Sequence, residues 1–149
     1  MLFPTLYSLA EANQLVPFLE DSFAELQAQI AVAQQARADL LDKAAQRVSA
    51  GEAAAETLLE ADPELAATVK DAEERIHEEL LLLHRVGVMV KSLDPPTADV
   101  FAHRGASIVN LCWQPGEPEF LHWHSLDAGL QGREPIDDPE LFGEPVLPC

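Results

Sequence analysis

Two apolar stripes at helical spacing constrain this chain more than any other feature. Beyond residue 18, apolar side chains recur at Leu19, Phe23, Leu26, Ile30, Ala33, Ala36, Leu40 and Ala44, always in steps of three or four. A second stripe runs through Leu65, Val69, Ala72, Ile76, Leu80 and Leu83 with the same steps. A helix carries such a stripe when that face packs against another element. Two such stripes in succession therefore predict an antiparallel helical hairpin over residues 8–86.

The ends of the arms carry their own chemistry. Ser8-Leu9-Ala10-Glu11 reads as a capping box: the Ser8 hydroxyl accepts from the amide three residues on, and Glu11 reaches back to the Ser8 amide. Pro17 lies inside the pattern, lacks an N–H, and should kink the helix or split off a short first segment. Ser49-Ala50-Gly51 is the first stop, with Gly51 suited to a left-handed conformation. The second arm is expected from near Glu52, with a fresh start at Asp62-Pro63-Glu64, where Asp62 caps and Pro63 opens the helix. Arg85 in the last turn and Gly87 beyond it make a C-terminal pair. With the chain reversing near Gly51, Leu19 faces Leu83, Leu26 faces Ile76, Ile30 faces Ala72 and Ala33 faces Val69. The numbers in each pair add to 102, and those of Phe23 and Leu80 add to 103. An arm of about 35 residues spans roughly 50 Å. Apolar residues also remain outside the stripes, at Ala53 to Ala55, Leu58 and Leu59. Such a coiled-coil-like hairpin is expected to pair with a second copy as a dimer, or with another protein.

Beyond Gly87 the period changes. Val88-Met89-Val90 reads as a short strand, Asp94-Pro95-Pro96-Thr97 as a loop, and Asp99 to His103 as a weak strand turned at Arg104-Gly105. Ser107 to Trp113 reads as a strand, Gln114-Pro115-Gly116-Glu117 as a turn, and Glu119 to His124 as the returning strand. From Asp127 on the chain is loop-like, punctuated by Gly129, Gly132, Pro135, Pro139, Gly143, Pro145 and Pro148. The expected fold class is α+β: a long antiparallel helical hairpin (residues 8–86), a small antiparallel β-meander (87–125) and an irregular acidic C-terminal tail (126–149), in one domain over 1–149.

Charge narrows the partners. The 149 residues carry 9 lysines and arginines against 26 acids, a formal charge of −17. Phosphate backbones and anionic membrane surfaces call for basic patches, and these cations are scattered, so neither nucleic acid nor membrane is expected. Positively charged partners, metal cations among them, remain compatible. The longest strongly apolar run, Leu80 to Leu83, is far below the ~20 residues of a spanning helix. No basic leader precedes an apolar stretch at the N-terminus, so a cytoplasmic location is the expectation. Cys112 and Cys149 are then expected as free thiols.

The candidate chemistry gathers around residues 112–124. His122-x-His124 puts both imidazoles on one face of a strand, roughly 7 Å apart along the chain, an arrangement that can hold a divalent transition metal such as zinc. The turn decides whether Cys112 joins them. A two-residue turn at Pro115-Gly116 pairs Cys112 with Glu119 and puts the sulfur on the opposite face. A turn one residue longer pairs it with Phe120 and unites sulfur and imidazoles. On the second helix, Glu74-x-x-His77 has the spacing of carboxylate-bridged metal bundles, but only one copy exists. Glu73 or His77 is the helix residue expected to complete a strand site. Trp113 and Trp123 read as core or interface residues, with a ligand-stacking wall as the alternative. Arg133 is expected to pair with Asp127, Asp137 or Asp138, and Glu117 to bond the turn. Cys112 as a nucleophile needs a base and an oxyanion hole, and no complete set is visible.

The chain as a whole resembles a bacterial family catalogued as domain of unknown function 2203. The resemblance rests on Ser8-Leu9-Ala10-Glu11-Ala12-Asn13, on Leu111-Cys112-Trp113-Gln114-Pro115-Gly116-Glu117, on Trp123-His124 and on Gly132-Arg133-Glu134-Pro135-Ile136. It departs from the pattern where the family usually has Arg after Cys-Trp, here Gln114, and a second basic residue, here Glu134. His122 is not a feature of the pattern. The resemblance supports the architecture and implies no activity. The functional expectation is a non-enzymatic, self-associating or protein-interaction protein built on the hairpin. The alternative is a metal-binding protein or small metal-dependent enzyme using His122 and His124, with Glu73, His77 or Cys112 completing the site.

Overall fold

The computed structural model describes residues 5–51 and 61–143. Strand β1 (Leu6–Tyr7) leads into helices α1 (Leu9–Gln14), α2 (Val16–Ser49) and α3 (Pro63–Arg85). Strands β2 (Met89–Leu93), β3 (Pro96–Arg104), β4 (Ser107–Trp113), β5 (His122–His124) and β6 (Glu134–Pro135) follow. The chain divides into two compact units, one joining Met1–Phe23 to Leu80–Cys149 and the other formed by Ala24–Glu79.

The predicted helix signals operate at both ends. Ser8 forms the capping box with Glu11. Pro17 stands in the first turn of α2, and the six-residue α1 is the short segment split off before it. Asp62 Oδ1 accepts from the Glu64 and Leu65 amides, capping α3. At the other end Val88 donates to the Leu83 carbonyl and Gly87 to that of His84, both at 3.0 Å. This is a Schellman closure, which needs a left-handed residue, and Gly87 has φ +87°. A β-carbon there would also lie 2.8 Å from the Thr5 side chain.

In the Ala24–Glu79 unit, Leu26, Ala33, Ala36, Leu40 and Ala44 of α2 and Ala72 of α3 are buried, so the stripes do face inward. Arg37 pairs with Glu73 and Lys43 with Asp62 across the two helices. Gly51 itself is left-handed, at φ +80°, directly after α2. The expected start of the second arm at Glu52 and the apolar cluster Ala53 to Leu59 lie outside the described residues, as does Cys149.

In the other unit the sheet is mixed and six-stranded, which corrects the expected plain meander. β3 carries β4 on one edge; on the other it carries β2 beside its first half and β1 beside its second. β1 runs parallel to β3, with Leu6 opposite Phe101 and Tyr7 opposite Ala102. β5 pairs with β4, and β6 with β5. One face is apolar: Ala98, Val100, Ala102, Val109, Leu111 and Trp113 are buried, with Val16, Leu19, Phe23 and Leu83 from the helices in the same core. Trp113 meets Phe23 edge-on at 5.5 Å between ring centroids, and its Nε1 donates to the Glu117 carbonyl. Trp123 lies against Phe142 and under the Arg104 guanidinium. Both tryptophans are thus packing residues.

Candidate metal centre

The opposite face of the same strands is polar and buried. Register pairs put Asp99 opposite Cys112, Cys112 opposite His122, and Asn110 opposite His124. These residues therefore project to one side. Neither of the two expected turns describes this hairpin. The Gln114–Glu117 turn closes as foreseen, with Gly116 at φ +96° and the Glu117 amide donating to the Gln114 carbonyl. The chain then continues through Pro118–Leu121 before pairing resumes. Phe120 is buried, and its amide is held by Asn13 Oδ1 at 2.7 Å. The resulting parity is that of the longer turn, so sulfur and imidazoles share a face.

Among the described residues, one group of potential ligand side chains converges: Asp99, Cys112 and His124, with donor atoms all within 4.8 Å of one another. All three are buried, at 1%, 0% and 4% exposure. His124 Nδ1 lies 2.8 Å from the Ser125 carbonyl, which only accepts, so Nδ1 donates. Nε2 then faces Asp99 Oδ2 at 2.8 Å. Two acceptors flank one ring, so a proton or a metal ion must stand between Nε2 and the carboxylate. Asp99 Oδ1 is buried with no hydrogen-bond partner, and so is Asn110 Oδ1 on the next strand. Burial, and then the Asp99 carboxylate, push the Cys112 thiol up to about 12, with Arg133 opposing. A thiol so placed is protonated near neutrality and is not a free nucleophile. Thiolate forms here only if a cation stabilises it.

The remaining sequence candidates go elsewhere. His122 stays on the polar face, but its Nδ1 lies 3.2 Å from Glu117 Oε2. Glu117 also accepts from the Gln114 amide and from Arg133 Nη2. Arg133 thus pairs with Glu117 rather than with Asp127, Asp137 or Asp138. Glu73 and His77 belong to the Ala24–Glu79 unit, where both are exposed and Glu73 pairs with Arg37. The converging group contains neither of them, and it does not contain His122.

Asp99 is the residue that sequence reading missed. Its signal was present: an aspartate inside Ala98-Asp99-Val100-Phe101, a run otherwise suited to a buried strand. Aspartate is depleted in strands and costly to bury unless paired.

A cavity of about 360 Å³ adjoins the group, lined by all three side chains and by Lys91, Ser92 and Asn110 among others. The molecule is thus an α+β protein with three ligand-type side chains set on adjacent strands beside a cavity. A family model described as uncharacterized conserved protein (DUF2203) matches residues 5–136. The chain belongs to that family, and the match spans both helices and the whole sheet. No curated protein and no solved structure matches it. No helix among the described residues is long and apolar enough to cross a membrane.

Proposed function

We propose that this chain is a metal-binding protein whose centre is Asp99, Cys112 and His124. The observation that carries this reading is His124. Its Nδ1 is tied to a backbone carbonyl while Nε2 is presented to a carboxylate and a thiol. Metal-ligating histidines are oriented in that way, with the far nitrogen fixed by a carbonyl or carboxylate. The mixed S, N and O donors suit zinc, which takes four ligands in tetrahedral array. Bonds of about 2.0 Å at a tetrahedral angle separate two N or O ligands by about 3.3 Å. The 2.8 Å contact between His124 and Asp99 has only to open slightly to admit the ion. The ion would also give the unpartnered Oδ1 side of the Asp99 carboxylate and the Cys112 sulfur a counter-charge.

Elemental analysis of protein purified without added metal, followed by zinc titration of the stripped protein, tests the reading. We expect one equivalent of zinc, a rise in unfolding temperature on binding, and loss of both in His124→Ala and Asp99→Ala. His122→Ala, Glu73→Ala and His77→Ala should retain the metal. Stripped protein that takes up no stoichiometric zinc, with unfolding temperature unmoved by it, would sink the proposal.

Self-association of the hairpin is a second, compatible reading. It is favoured by Leu41 and Val48, seven residues apart on one side of α2 and both more than half exposed. Sedimentation that shows a dimer, converted to monomer by Leu41→Lys with Val48→Lys, is the expected outcome. A monomer at all accessible concentrations would end this reading and leave the metal centre untouched.

A further inference from the structure

The three proposed ligands come from neighbouring strands, β3, β4 and β5, and all project from the same face of the sheet. An ion bound by them sits above that face. Its fourth tetrahedral position then points away from the sheet, where the cavity lies. Structural zinc sites fill that position with a fourth protein ligand, whereas sites that bind or transform small molecules keep it open. Among the described residues, no fourth histidine, cysteine or acid joins the converging group. The cavity, at about 360 Å³, falls at the small end of ligand pockets, which run from about 300 to 1,000 Å³.

The cavity wall indicates what would enter. Asp99 and a Cys112 thiolate together neutralise a divalent ion, so the centre itself carries no net charge toward the fourth position. The wall around it is uneven. Lys91 is the one lysine or arginine lining the cavity among the described residues. It owes its place to a local irregularity: β2 shifts register between Val90 and Ser92, so Lys91 is the unpaired residue at a bulge. Bulges re-aim side chains in this way. Asp127 also lines the cavity and keeps its charge, its Oδ1 accepting from the Ser125 hydroxyl at 2.9 Å, so a bound anion is drawn to the ion and Lys91 and away from this carboxylate. Ser92 and Thr97 also line the cavity. A Lewis-acidic ion with an open position and an ammonium on one cavity wall form a two-point site for a planar anion with two oxygens.

We propose that the fourth coordination position opens onto this cavity and takes the carboxylate of a small molecule, which Lys91 holds through its ammonium. This rests on the metal centre described above. It adds that the centre is a ligand site and not a structural staple.

Cobalt(II) loading of the full chain separates the two statements. Cobalt bound by Cys112 gives an intense thiolate-to-metal band in the near ultraviolet, which Cys112→Ser should abolish; its weaker visible bands report the coordination sphere. Benzoate is the probe, with chloride at equal ionic strength as control. We expect the visible bands to shift saturably with benzoate and not with chloride. Lys91→Ala should take up cobalt as the parent does and bind benzoate about three- to five-fold more weakly, the scale of a partly exposed ion pair. Lys91→Arg should recover most of that loss. A thiolate band with visible bands indifferent to benzoate would overturn the open position while leaving the metal centre standing. Equal benzoate affinity in the parent and Lys91→Ala would overturn the role of the cation. Absence of any thiolate band would bring down both the metal reading and this inference.

Discussion

The two faces of β3 and β4 are made by alternate register pairs of one ladder, yet they are held by different physics. On one face Ala98, Val100, Leu111 and Trp113 lose water against helices and one another. Each contributes in proportion to the area it buries, and only the Trp113 indole N–H needs a particular partner, the Glu117 carbonyl. On the other face Asp99, Asn110 and Cys112 are as deeply buried, and there each polar atom needs a specific partner. His124 supplies one for Asp99 Oδ2, but the second oxygen of Asp99 and the amide oxygen of Asn110 have none. The apolar face therefore explains why the sheet is stable. The polar face costs stability and calls for an explanation outside folding. The surface ion pairs of the hairpin sharpen the contrast, because Arg37 and Glu73 are each about half exposed and water can replace either.

Substitutions can break this contrast, and the largest effect is expected on the apolar face. Trp113→Ala should cost about 3–5 kcal/mol in denaturant unfolding through the cavity it leaves. A loss below about 1 kcal/mol would mean that this face is not the core. Next comes Asp99→Ala in metal-free protein, expected to cost about 3 kcal/mol because His124 is left buried beside no carboxylate. Adding His124→Ala should then cost much less than it does alone, with a coupling of about 1–3 kcal/mol in a double-mutant cycle. Additive losses would show that the two side chains do not act as a pair.

A smaller effect is expected from pH. The folded Cys112 thiol, pushed up to about 12, holds its proton through a range in which the unfolded thiol, near 9.0, has lost it. Across that window the folded state binds more protons, so the stability of metal-free protein falls as pH rises. Allowing for partial solvent screening, the loss by pH 10 is up to about 1 kcal/mol. Unfolding midpoints of the parent and of Cys112→Ser, compared at pH 7 and pH 10, should converge on the alkaline side. Smallest of all, Arg37→Ala should change stability by no more than about 0.5 kcal/mol, since its pair with Glu73 is solvated.

The sequence by itself determined whatever depends on neighbours three or four residues away. The Ser8 capping box, the break before α2, the Asp62 cap, the Gly87 closure and the span of β4 were all legible, because each is written in local hydrogen bonding and periodicity. Which residues of the two arms are inward was legible too, through the stripes. Tertiary structure alone decided the rest. β1 and β6 are two residues long and carry no period, and the parallel pairing of β1 with β3 joins segments about 95 residues apart in sequence. The ion pairs that tie the two arms, Arg37 with Glu73 and Lys43 with Asp62, depend on how the arms lie against each other and were not legible either. Between the turn and β5, Asn13 holds the Phe120 amide, a bond across 107 residues that no turn rule contains. The ladder that follows has the parity that puts Cys112 and His124 on the face where Asp99 waits. His122 and His124 share a strand and a face, but Glu117 draws one aside and Asp99 takes the other. Ligand-type residues were visible in the sequence. Their convergence was not, because it depends on long-range pairing that local chemistry does not encode.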